Sequence, residues 1–186
     1  WQNGFLPRVH AGVRSRNQGE PVLNLRNPAG LPPELQRKGL DVLRDVNQSR
    51  YQEIHDPEIA SRIASYELAF RMQSSAPELM DLSGESKQTL EAYGVDRPDL
   101  KGVGTRGKSG NTHQVFARDC LLARRMVERG VRFVQVFTQN QFWDHHGGIK
   151  KSLPAACKKV DKPSAALVTD LKQRGMLDDT LVIAMG

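Results

Sequence analysis

The densest chemistry in this sequence lies in one short run, Trp143-Asp144-His145-His146-Gly147-Gly148. A carboxylate and an imidazole two residues apart in a loop can reach the same metal ion, oxygen and nitrogen serving as mixed ligands. The two glycines let the backbone turn tightly beside them. The same residues read equally well as a polar loop in which Asp144 caps the next helical stretch and the histidines are solvated. Two or three donors do not complete a coordination sphere, so further ligands are expected from elsewhere.

A second run has the spacing of a phosphate-cradling loop. Gly102-Val-Gly-Thr-Arg-Gly-Lys108-Ser109 satisfies G-x-x-x-x-G-K-[ST]. That motif works between a buried strand and the helix whose N-terminus holds the phosphate. Here the preceding Gly94 to Lys101 segment carries two Asp, two basic residues and Pro98, which is not a core strand. Gly110-Asn111 also delays the next helix past Ser109. Residues 95–111 are therefore expected to be a basic loop that binds no nucleotide. The remaining candidates are isolated. His10, His55 and His113 are expected at the surface or at caps. Cys120 and Cys157, on helices with apolar neighbours, are expected as buried thiols. Asp119 is expected to pair with Arg118 at the surface, and Arg124-Arg125 is expected as a solvated helix edge.

The elements that must position these residues follow from periodicity. Residues 1–31, punctuated by Gly and Pro, predict a loop-rich lead-in. Pro32-Pro33 open a helix to about Ser49, with Leu35, Leu40, Leu43 and Val46 as its stripe. Asp56-Pro57-Glu58 is an N-cap, a first-turn proline and a first-turn acid. Ile59, Ile63, Tyr66 and Phe70 then follow at helical spacing. A shorter helix runs from Ser83 to Tyr93, ended by Gly94. Thr112 caps a largely buried helix from His113 to Arg129, stopped by Gly130. Residues 131–137 and 180–185 are nearly continuous β-formers, as strands covered on both faces are. Between them a helix is predicted over 151–174, kinked or restarted at Pro163 and ended by Gly175. Strand, helix, strand predicts a βαβ unit with parallel strands and a right-handed crossover. The fold class read from the sequence is thus α/β. Residues 1–111 form a loop-rich and helical segment and 112–186 a βαβ core segment of a single, incomplete domain. The loop holding Asp144 and His146 would then sit at the C-terminal end of a strand, where open α/β sheets bind ligands.

Composition narrows the classes. The 186 residues carry 27 Lys+Arg against 21 Asp+Glu, a net charge of +6 that favours anionic partners. The basic residues are scattered apart from Arg97 to Lys108 and Lys150-Lys151 with Lys158-Lys159; no nucleic-acid partner is expected from them, and an anionic small substrate fits the charge equally well. No apolar run approaches the ~20 residues that span a bilayer, and no signal peptide is present. Two cysteines exclude a disulfide scaffold and any four-cysteine zinc module. The chain opens on Trp1 and closes on an apolar run, so it reads as a piece of something longer.

Several stretches together resemble one family. They are Gly4-Phe-Leu-Pro7, Pro21 to Pro28, Arg62 to Gln73, Cys120 to Arg125 with Gly130 to Phe133, Trp143-Asp144 with His146, and Leu177 to Val182. They are similar to the bacterial sulfatase-like family catalogued as domain of unknown function 1501, in the alkaline-phosphatase-like superfamily. The resemblance spans essentially the whole chain. It implies a partial sulfatase-like α/β fold and a metal-dependent hydrolase of sulfate or phosphate esters, with an anionic ester as substrate. The family's Trp-Asp-x-His motif falls on Trp143 to His146. Asp144 and His146 become the implied ligands of a divalent metal, weakly held or absent in this fragment, and His145 occupies the variable position. The nucleophile is expected before Trp1. The motifs after Gly186 are missing, and an exported or periplasmic location is implied. A metal- or anion-binding protein of the same fold without turnover is the alternative.

Overall fold

The computed structural model describes residues 12–16, 22, 26–98, 112–138 and 142–185. The chain divides into two compact units, residues 1–81 and 82–186.

The first unit is a pair of helices, α1 (Pro33–Ile54) and α2 (Pro57–Met80). Proline opens each, where its missing N–H costs nothing. Nothing breaks α1 at Ser49. It continues to Ile54 and ends at His55, which adopts the left-handed conformation (φ 57°) and donates its N–H to the Tyr51 carbonyl. Asp56 then caps α2, its carboxylate accepting from the Glu58 N–H at 2.9 Å. Arg37 ties the helices together: its guanidinium grips Glu67 at 2.7 and 3.0 Å and Asp41 at 2.8 Å, and it lies over the Phe70 ring. Of the predicted stripe, Ile59 is buried, Ile63 and Phe70 are half-buried, and Tyr66 faces out.

The second unit packs α3 (Lys87–Tyr93), α4 (Thr112–Glu128) and α5 (Ile149–Gln173), followed by a 3-10 turn at Leu177–Asp179. Ser86 caps α3 by accepting from the Thr89 N–H. Gly94, Gly130 and Gly175 close α3, α4 and α5 at positive φ, as the sequence predicts. The core joins Tyr93, Val95, Ala117, Cys120, Leu121 and Ala166. Burial pushes the Cys120 thiol up to about 12, with Asp119 adding to it. Cys157 is exposed, contrary to expectation.

The α/β reading is overturned: the described residues contain helices and no strand. Residues 131–137 and 180–185 form no strand, so among the described residues the parallel strands and the sheet edge of the predicted βαβ unit are absent. The connecting helix is present as α5. Burial explains the misreading. Along 131–138, Val134, Val136 and Thr138 are half-buried while Val131, Phe133, Gln135 and Phe137 are exposed, a one-sided alternation. Phe133 is 78% exposed and Leu181 85%. A run of β-formers becomes a two-faced central strand when neighbours pair with it and helices cover it. Two short strands lacking further partners do not supply that.

Candidate functional site

The Asp144–His146 loop is anchored from its N-terminal side. Phe142 is buried, and its ring meets Trp143 edge-on with centroids 4.9 Å apart. Gly148, at φ 66°, turns the chain into α5, and its carbonyl accepts from the N–H groups of Lys151 and Ser152. Between these fixed points Asp144 and His146 meet: Nδ1 of His146 lies 3.0 Å from Oδ1 of Asp144. The pair is open to solvent, the His146 side chain being 64% exposed. His145 is half-buried, with Nε2 enclosed and no hydrogen-bond partner among the described residues. Chain alternation therefore separates the two histidines as the motif separates them, one turned inward and one toward water.

With no sheet, the loop does not sit at a strand end. It sits just ahead of the N-terminus of α5, where the helix dipole favours negative charge such as the Asp144 carboxylate. The donor types suit a divalent cation, and the two donors are brought together. No third His, Cys, Asp or Glu joins them among the described residues. The residues thus fit a metal as a two-donor site whose other positions are filled by water or by groups outside it.

A second constellation went unread in the sequence. Arg124 and Arg125, expected as a solvated edge, are buried in the second unit. Glu85, its side chain 9% exposed, bridges them, one oxygen 2.6 Å from Arg124 Nη2 and the other 2.7 Å from Arg125 Nη1. Arg124 Nη1 also donates to Glu128 at 2.7 Å. Its Nε lies 3.1 Å from Asp170 Oδ2, in ionic contact but not aligned as a hydrogen bond. Tyr93 donates its hydroxyl to Asp170 at 3.0 Å, and Arg174 closes the circuit to Asp170 and Glu128. Burial would raise the Glu85 pKa, but the hydrogen bonds from Arg125 and Arg124 outweigh it and hold the carboxyl below its ordinary 4.5. Burial pushes the Tyr93 hydroxyl well above its usual range, and Asp170 adds to that. Three guanidinium groups face three carboxylates, so the cluster fastens the 82–86 turn, α4 and α5 to one another. The signal for it was an Arg-Arg pair set inside the apolar run Leu121 to Val127.

His113 is likewise buried, not a surface residue: its Nδ1 lies 2.7 Å from the Lys159 carbonyl oxygen. The G-x-x-x-x-G-K-[ST] run falls outside the described residues. Among the described residues before it, α3 is followed by a turn at Gly94–Asp96, with no strand up to Pro98.

A family whose description reads "Protein of unknown function (DUF1501)" matches residues 1–186. No curated protein and no solved structure matches the chain.

Proposed function

We propose, for a chain that belongs to the DUF1501 family over its whole length, that it carries part of the metal site of a sulfatase-like hydrolase of sulfate or phosphate esters. The observation that carries this reading is the meeting of Asp144 and His146 in a solvent-open loop, 3.0 Å apart. Donors about 3 Å apart have the spacing of two neighbouring ligands on one cation held at about 2 Å, so Nδ1 of His146 and Oδ1 of Asp144 are the atoms offered to it. A divalent metal there would polarise an ester oxygen and stabilise developing negative charge. The chain's own part is to hold that ion and to receive an anionic substrate beside the positive end of α5. Location outside the cytoplasm belongs to the same reading, since it follows from the family resemblance.

The test is hydrolysis of an aryl sulfate and an aryl phosphate by the intact protein with and without added divalent metal. Metal-dependent turnover is expected, falling at least ~10–100-fold in Asp144→Asn and in His146→Ala, the scale seen when metal ligands or their orienting groups are lost. His145→Ala is expected to be mild. Metal binding through the same two residues with no turnover of either ester would favour the non-catalytic binding protein.

A further inference from the structure

Six of the chain's ten lysines lie on α5: Lys150, Lys151, Lys158, Lys159, Lys162 and Lys172. Lys159 is turned into the core, and the other five are exposed. At about 100° per residue those five fall within a sector of about 120°, away from the face that buries Ala156, Pro163 and Ala166. Lys151, Lys158 and Lys162 are nearly collinear along the helix, about 10.5 and about 6 Å apart at ~1.5 Å rise per residue. None of the five takes part in an ion pair among the described residues. Five arginines elsewhere, Arg37, Arg44, Arg124, Arg125 and Arg174, meet carboxylates, whereas among the described residues Arg50 and Arg62 do not. Like charges four residues apart, such as Lys158 and Lys162, disfavour a helix. Lys172 is favoured by the negative end of the helix, and exposed Asp161 falls in the same sector, three residues from Lys158. The other four lysines gain no ion-pair partner among the described residues, whereas an anionic ligand would supply one.

We propose that the outward face of α5 is a binding track for a linear sulfated glycan, with Lys151, Lys158 and Lys162 as its contacts. The track begins at the helix end next to the Asp144–His146 loop, so it deepens the ester-hydrolase reading by naming its substrate as a polymer and rests on that reading for the chemistry. The face fits sulfates borne on alternate sugar rings better than a nucleic acid. Along α5 itself it offers widely spaced ammonium charges and no aromatic or arginine side chain for bases to stack on.

The test is binding of the intact protein to a size-defined heparin oligosaccharide over a series of salt concentrations. Replacing the three lysines together (K151Q, K158Q, K162Q) is expected to weaken binding at least tenfold and to lower the salt dependence by about three charges. The triple K38Q, R50Q, R62Q removes the same charge from the other unit and is expected to leave affinity within twofold. Asp144→Asn is expected to bind heparin normally, so loss of the metal site and loss of the track are separable: a working track without hydrolysis would sink the hydrolase reading alone. Equal weakening by both triples would reduce the effect to net charge and overturn the track. So would equal affinity for desulfated heparin, or tighter binding of single-stranded DNA through the same three lysines.

Discussion

At His146 what matters is which nitrogen stands beside the carboxylate. Nδ1 lies 3.0 Å from Oδ1 of Asp144 on a side chain open to solvent, whereas Nε2 of His145 is enclosed. Neighbouring histidines thus have opposite environments although their residue type is the same. Glu85 shows the converse, a carboxylate whose whole capacity is absorbed by Arg124 and Arg125. Removing it leaves two buried cations without their shared partner, a loss of about 3–5 kcal/mol by the usual cost of breaking a buried pair. Glu85→Gln keeps the shape and should lose about half of that. Because the folded-state pKa of Glu85 lies below 4.5, its contribution is fully present above that pH and disappears as pH falls through the folded value. Urea midpoints measured from pH 7 down to pH 3 should therefore drop more steeply in the wild type than in Glu85→Gln; parallel curves would show that Glu85 does not titrate with folding. The proximity of Asp144 and His146 was legible in the sequence because loop chemistry is local. The Arg124–Glu85 clasp was not, since partners about forty residues apart leave no local pattern beyond charges in an apolar run.

At the scale of elements, starts and stops were readable and pairing was not. Asp56, Ser86, Gly94, Gly130 and Gly175 act where their side chains or their tolerance of positive φ require. Gly94 carries a further demand: a Cβ there would stand 2.7 Å from His113 Nε2, whereas one on Gly130 would meet open space. Both substitutions to alanine incur left-handed strain of ~1–2 kcal/mol. Gly94→Ala should cost more than Gly130→Ala in thermal or urea unfolding, and His113→Ala should remove the excess. Equal costs would mean that His113 moves aside freely. Residues 131–137 and 180–185 mark the opposite limit. Val, Ile and Phe in succession state a preference for extended backbone, yet neither segment forms a strand. Whether such a segment joins a sheet depends on neighbours that its own residues do not encode.

Across the molecule, stability should be uneven in a way that follows burial. The amides of Ala117, Cys120 and Leu121 lie in the core of the second unit, while residues 181–185 are exposed and unpaired. Hydrogen exchange should be slowest on α4 and close to unprotected over 181–185; strong protection there would indicate pairing and contradict the helical description. The account rests most heavily on one assignment, that Asp144 and His146 share a cation, and the whole chain in solution can report on it directly. The side-chain nitrogens of its five histidines can be followed by two-dimensional NMR as Zn2+ is added. A shared cation predicts that the ring nitrogens of His146 move first, Nδ1 most, that the response is lost in His146→Ala and weakened in Asp144→Asn, and that it survives in His145→Ala. A response centred on His145, or one that all three substitutions leave unchanged, would contradict it.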